Sequence, residues 1–325
     1  MPPPPSSLLS AATLSFIGFP CKAFLNLTTQ GYHVHGSQHL LKALAQRNDA
    51  IDVAEAGDAD GVVEIDGEKP FRRGIITVCN HNSVVDDPMM WSFLPTSNFF
   101  PLASPQTTCL NTRWTLGASD IMFTSAPTAK FFTAGQVIET VRGGGIYQKA
   151  VDTAIQRVEE GAWVHIFPEG KVNQKFSHPA GGLLRFKWGV GRIIMDSRVM
   201  PEIVPIWISG FDQIMDEHRG FPRFVPRGGA KVSVTIGESI RPQVEAVVNA
   251  HRAQGAKPSG PTHVDGDAAA HDADRETRIQ ITQMLQDAVQ ALGEKVETAE
   301  GRFERGEWSQ SRARVEEPVE EKAKA

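Results

Sequence analysis

Residues 73–91 read RGIITVCNHNSVVDDPMMW, and the fold follows from how this stretch divides. Ile75, Ile76 and Val78 have the character of a buried strand end. Asp87-Pro88 predicts a helix start, with Asp as N-cap and Pro at the first helical position. His81 and Asp86 then fall on the connection leaving the carboxyl end of a strand, where open α/β sheets hold their sites.

On a regular helix the offset between His81 and Asp86 would point the two side chains ~140° apart. They meet only if the histidine is still in the loop and the aspartate stands where the helix begins. The carboxylate can then accept the proton of one ring nitrogen and stabilise an imidazolium, leaving the other nitrogen as a general base. No GxSxG elbow supplies a nucleophile, so the proton would come from a substrate hydroxyl. A loop histidine bonded to a capping aspartate, without chemistry, is the competing reading of this segment. No further His or Cys stands nearby at metal-ligand spacing, so no metal is expected there; no cofactor is expected either.

Upstream, residues 49–69 hold eight acids against one base and read as a solvated insertion. The first 48 residues contain no acid. Their apolar run, LLSAATLSFIGFPCKAFLNL at 8–27, is interrupted by Gly18, Pro20, Lys22 and Asn26. A spanning helix wants ~20 mostly apolar residues. The run fits a segment lying in a membrane interface or a shallow hairpin, with Lys22 at headgroup level, or else a helix docked on the domain.

Downstream, strand-like runs NFFPLA, GQVIETV, GAWVHIF, EIVPIWI and KVSVTI join RGIITVC. The helical pattern IYQKAVDTAIQRVEE lies between them, and a second, RETRIQITQMLQDAVQALGEKV, follows. This alternation predicts an α/β fold with a largely parallel central sheet flanked by helices. Residues 250–274, rich in Ala, Gly, Pro, Asp and His, read as a second flexible insertion, and the chain beyond Gly301 as a charged, fraying tail. The chain is 325 residues long, and its formal charge of −5 gives no general pull toward nucleic acid. Cys21, Cys79 and Cys109 imply no disulfide framework.

Two further strand ends carry chemistry. GQVIETVRGGGIYQ puts Arg142 before three glycines and a helix, an anion site in form, and a glycine turn with a surface arginine in its plainer reading. FPEGKVN puts Glu169, Gly170 and Lys171 after the strand GAWVHIF, a fixed turn able to aim a side chain at a ligand hydroxyl or phosphate. Beyond it, LLRFKWGVGRII interleaves Arg185, Lys187 and Arg192 with Trp188 and aliphatic residues. That composition suits anionic lipid headgroups or a core-facing amphipathic helix.

The three blocks in this order resemble the glycerolipid acyltransferase superfamily. NHNSVVDDPMMW, FPEGKVN, LLRFKWGVGRII and VPIWISGFDQIM carry a finer resemblance to its phospholipid–lysophospholipid transacylases, covering about Phe19 to Gly237. Many acyltransferases place a glycine six residues before the arginine of the second block; here Gly135 stands seven before Arg142.

The resemblance implies His81 as base, Asp86 as its orienter, and Arg142, Gly143, Glu169, Gly170 and Lys171 around a headgroup. It implies CoA-independent remodelling of cardiolipin, with monolysocardiolipin and phosphatidylcholine as partners. It also implies monotopic attachment to mitochondrial membranes facing the intermembrane space. The domain layout follows: a membrane-associating segment at 1–30, an acyltransferase domain at 31–300 and a tail at 301–325. An acyl-CoA-dependent acyltransferase and a non-catalytic lipid-binding surface protein are the rival expectations. The backbone N–H groups at Gly143–Gly145 are candidate oxyanion donors.

Overall fold

The computed structural model describes residues 8–56, 73–99, 105–174, 182–256 and 268–308. Seven strands make one sheet: β1 (Gly31–His35), β2 (Ile75–Cys79), β3 (Trp114–Ala118), β4 (Val137–Thr140), β5 (Trp163–Ile166), β6 (Glu202–Ser209) and β7 (Lys231–Ile236). Their spatial order is β1-β7-β6-β2-β5-β3-β4. β2 to β6 run parallel, β7 is antiparallel to β6, and β1 runs parallel with β7. The expected largely parallel central sheet flanked by helices is therefore present. The carboxyl ends of β2 to β6 line one edge, together with the starts of β7 and β1.

The helices are α1 (Leu8–Thr28), α2 (Ser37–Ala56), α3 (Asp86–Met90), α4 (Pro105–Leu110) and α5 (Ser119–Met122). They continue with α6 (Ala126–Ala134), α7 (Lys149–Glu159), α8 (Gly189–Asp196), α9 (Arg241–Ala253) and α10 (Ala268–Ala299). Strand residues alternate between two cores. Ile76, Val78, Val164, Ile166, Ile203 and Trp207 face α7, α8, α9 and α10. Ile75, Cys79, Trp163, Val204, Ile206 and Ile208 face α1, α2 and α3. β2 is buried on both faces, which is why its sequence shows an apolar run and no polar alternation.

α1 is one continuous helix packed on α3, α4 and α6, not an interrupted segment or hairpin. Gly18 does not break it; a Cβ there would lie 2.6 Å from the Phe99 ring, so glycine permits this close packing. Lys22, expected among headgroups, donates to the Leu94 carbonyl at 2.8 Å. The opposite face stays apolar and open. Leu8, Leu9, Ala12, Phe16, Phe19, Ala23 and Leu27 are exposed. At ~100° per residue they fall within roughly 100° of arc.

Other expectations change. Asn98 and Phe99 of NFFPLA lie in a 3-10 turn, not a strand, and the rest of that run lies outside the described residues. α2 continues through residues 49–56 of the acidic stretch; residues 57–69 lie outside the described residues. Of the second insertion, α9 and α10 take up both ends, and residues 257–267 lie outside. Of the tail expected to fray, residues 301–308 dock on the domain, and residues 309–325 lie outside the described residues. The Trp308 ring meets Trp207 at 5.2 Å, and buried Arg302 reaches Ser209 and Asp212.

LLRFKWGVGRII is mostly core: Phe186, Val190, Ile193 and Ile194 are buried between α7 and α10. Arg192 is buried too, paired with Asp152 at 2.6 Å and Asp196 at 3.0 Å. Arg185 and Lys187 remain exposed.

Candidate active site

Past Cys79 the chain leaves β2 but stays tied to β6. Asn80 accepts the Ile208 N–H at 2.9 Å and donates to the Ile208 carbonyl at 2.9 Å, while Asn82 donates to the same carbonyl. Between these clamps His81 turns its ring toward Asp86, with Nδ1 to Oδ2 at 2.9 Å. The same Oδ2 accepts the N–H groups of Asn82 at 2.6 Å and Ser83 at 2.7 Å. Asp86 thus folds the loop around its own carboxylate and fixes the ring in one step.

Asp86 is fully buried, and burial pushes its carboxyl above the usual range, opposed by the hydrogen bond from His81. His81 keeps a solvent-reachable edge, and its Nε2 has no hydrogen-bond partner among the described residues. Phe167 stacks on the ring at 4.2 Å, which holds its plane.

The helix start differs from expectation. α3 begins at Asp86, two residues before the expected first helical position, with Val85 at the cap position and no side-chain cap. Asp87 instead receives a two-pronged guanidinium, its Oδ1 accepting Arg113 Nε at 2.8 Å and its Oδ2 accepting Nη2. The doubled acid therefore splits its work: Asp86 faces the histidine and Asp87 locks α3 to the turn before β3. Sequence reading missed Arg113, because its partner lies 26 residues away.

Glu169 turns inward, not toward solvent. It is buried at the end of β5, where Oε1 accepts the His81 N–H at 2.7 Å. Its Oε2 accepts Asn173 Nδ2 at 2.7 Å and the Leu184 N–H at 2.9 Å. Burial pushes its pKa up to about 7 against these donors. Asn173 closes the arrangement by giving its N–H to the His81 carbonyl at 2.7 Å. Glu169 is thus an internal strut that fixes the backbone of His81.

Gly170 takes a left-handed φ of 73°, and Lys171 follows it, exposed. The Lys187 side chain lies alongside Gly170. Below His81, buried His165 joins Thr77 at 2.8 Å and meets Phe167 edge-on. Burial lowers the pKa of His165 to about 3, so it stays neutral. Cys79 is buried with its thiol pushed up, which makes it a poor nucleophile.

Arg142 lies at the same sheet edge but after β4, three strands from β2, a separation of roughly 14 Å along the sheet. It is half-exposed and 3.4 Å from Asp120. Gly143 and Gly145 take left-handed φ values of 75° and 73°. α7 starts only at Lys149, so the glycines do not open the helix as expected. The Gly144 N–H is already given to the Val141 carbonyl, which leaves Gly143 and Gly145 as the remaining candidate donors.

A catalytic-type His/Asp pair at the carboxyl edge of a parallel sheet, braced by the Pro-Glu-Gly turn, can be set against known proteins. A family model described as Acyltransferase matches residues 62–209. A Dictyostelium discoideum protein named Taffazin is 34% identical over 241 residues, covering 73% of this chain and 71% of its own. The chain belongs to the tafazzin family.

That places it in the glycerolipid acyltransferase superfamily and makes it an acyltransferase with lipid substrates. A Drosophila melanogaster tafazzin is 35% identical over 182 residues, 55% of this chain and 43% of that one. An Arabidopsis thaliana N-acylphosphatidylethanolamine synthase is 36% identical over 194 residues, 59% of this chain and 64% of that one.

Proposed function

We propose that this tafazzin-family chain is a CoA-independent phospholipid–lysophospholipid transacylase that remodels cardiolipin acyl chains. The observation that carries the mechanism is the ring of His81, bound to buried Asp86 through Nδ1 and unoccupied by protein at Nε2. No Ser, Thr or Cys side chain hydrogen-bonds to His81 among the described residues, which favours direct transfer over an acyl-enzyme.

Nε2 takes the proton of a lysolipid hydroxyl, whose oxygen attacks the ester carbonyl of a neighbouring phospholipid. Asp86 stays ionised and stabilises the imidazolium. The tetrahedral intermediate collapses, the donor's glycerol oxygen leaves, and Nε2 returns the proton to it. One ester forms as one breaks, so the reaction runs near equilibrium without a thioester. Lys171, Gly170, Arg142 and Gly143 line the headgroup path along the sheet edge, while Glu169 holds the His81 backbone. The acceptor is monolysocardiolipin and the donor phosphatidylcholine or cardiolipin, following the tafazzin resemblance.

The protein associates with one leaflet of a mitochondrial membrane on the intermembrane-space side. Its surface supports the membrane part of this reading. Large exposed hydrophobics among the described residues fall on α1, or in segments that leave the carboxyl ends of parallel strands: Val84, Ile121, Phe131, Val141, Tyr147, Phe221, Phe224 and Val225. α1 is long and apolar enough to cross a bilayer, but it lies against the domain along its inner face, which favours a monotopic position.

The Arabidopsis relative supports a second reading, with an amine as acceptor in place of a hydroxyl and the same base. Purified protein with labelled phosphatidylcholine and monolysocardiolipin, free of CoA, tests the first. Labelled cardiolipin is expected. Exchange only after acyl-CoA is added overturns it, and N-acyl product from phosphatidylethanolamine alone selects the second reading.

A further inference from the structure

The connection from β6 to β7 was assigned no role by the sequence, yet it presents Phe221 at 91% and Phe224 at 78% exposure. We propose that residues 218–231, HRGFPRFVPRGGAK, form a lipid-inserting loop that seats the catalytic edge on an anionic bilayer. This rests on the membrane association put forward above and deepens it by naming the element and the charge it recognises.

Three observations carry the proposal. The stretch holds Arg219, Arg223, Arg227 and Lys231 and no acid. The arginines spend their hydrogen bonds on backbone carbonyls of the loop and its base. Arg219 binds the carbonyls of Arg223 and Asp216, Arg223 that of Glu217 at 2.8 Å, and Arg227 that of Gly220 at 2.7 Å. Carbonyls hold the guanidiniums in place without cancelling their charge, and they brace the loop so that both phenylalanines stand outward. Aromatic tips among un-neutralised arginines match the lipid interface, where rings enter the acyl boundary and cations meet phosphates.

The loop also continues an apolar surface. The Gly229 N–H is given to the Thr28 carbonyl at 2.7 Å, at the end of α1 where Leu27 is 82% exposed. Finally, the loop base is bonded to the catalytic loop through one amide. Gln174 donates to the Asn82 carbonyl at 2.8 Å and the Met215 carbonyl at 3.1 Å, and accepts the Glu217 N–H at 2.9 Å. Asn82 follows His81 directly, so the depth at which the loop sits sets the height of His81 above the bilayer.

The experiment uses the full chain and vesicles of phosphatidylcholine with or without phosphatidylglycerol, read by flotation. Turnover on short-chain lipids in detergent micelles is measured beside it. Phe221→Ala/Phe224→Ala is expected to weaken vesicle binding about tenfold. Arg223→Gln is expected to weaken it about fivefold on anionic vesicles and leave neutral ones unaffected. Micellar turnover is expected to stay at the parent level in both. If the parent chain floats with vesicles and the phenylalanine variant floats equally, the loop proposal is overturned and the membrane reading stands. If the parent chain does not bind vesicles, both are overturned. Loss of micellar turnover with vesicle binding retained assigns the loop to the site instead of the membrane, which also overturns the proposal.

Discussion

Among the described residues two histidine–aspartate pairs occur at nearly the same distance, His81–Asp86 at 2.9 Å and His251–Asp274 at 2.7 Å. Their surroundings differ in every respect that matters to proton transfer. His251 joins α9 to α10 and has both ring nitrogens engaged, Nε2 by Asp274 and Nδ1 by Thr277 at 3.2 Å. Asp274 is partly exposed and also lies 4.0 Å from Arg278. His81 offers one free nitrogen at a sheet edge, and its aspartate is fully buried, holding two backbone N–H groups besides the ring. A short His–Asp distance is thus cheap to find. The signs of chemistry are the unengaged nitrogen and the backbone built around the carboxylate.

The largest expected effect breaks the comparison outright. His81→Ala is expected to lower turnover by ~10²–10⁴-fold, with folding and vesicle binding retained. His251→Ala is expected to leave turnover intact and lower the melting temperature, at a cost of ~1–3 kcal/mol for partners left unpaired. Equal losses of turnover in the two variants would remove the distinction. Asp86→Asn is expected to approach the His81 loss, because a neutral amide placed where Oδ2 accepts its three hydrogen bonds cannot stabilise the imidazolium as the carboxylate does; Asp274→Asn is expected to spare activity.

Asp87→Ala sharpens the same point inside the doubled acid. It is expected to act on stability, since it strands the buried guanidinium of Arg113. Breaking such a pair costs ~3–5 kcal/mol where burial is complete, and the partial exposure of both groups puts this pair toward the lower end. Turnover per folded molecule, measured below the melting range, is expected to survive. A larger turnover loss for Asp87→Ala than for Asp86→Ala would mean that the pair is misassigned.

The smallest effect is a pH dependence. Glu169 titrates near 7 when folded against 4.5 for the unfolded group, so between those values the folded chain binds more protons. Stability from this group is therefore present below about pH 4.5 and declines as pH rises toward 7. His165 has the opposite sign: lowered from 6.5 to about 3, it removes stability as pH falls through that window. Melting curves of Glu169→Gln and of His165→Gln, each against the parent chain, are expected to lose these slopes in opposite directions.

The sheet and the pair were legible because β2, β5 and β6 are dense in Ile, Val and Trp, and because His81 and Asp86 are close in sequence. β1 and β3 were not: each has five residues, partly exposed, and β1 finds its partner 200 residues later. LLRFKWGVGRII proved mostly core for a related reason. Arg192 looks like a surface cation until Asp152, 40 residues upstream, closes on it. Glu169 was picked out by its turn, but whether its carboxylate faced outward or inward depended on Leu184 and Asn173, which only the folded chain brings to it.

The pairing of β1 with β7 has a consequence in time. β1 sits at the sheet border with Gly31 opposite Lys231, so the strand that follows α1 has no place to dock until residue 231 has been made. At ~5–20 residues per second, the interval between the two strands is roughly 10–40 s. Through that interval the apolar α1 is part of a nascent chain whose adjoining strand is unpaired. A hydrophobic segment held back in this way stays open to chaperones or to a bilayer before its own domain can bury one side of it.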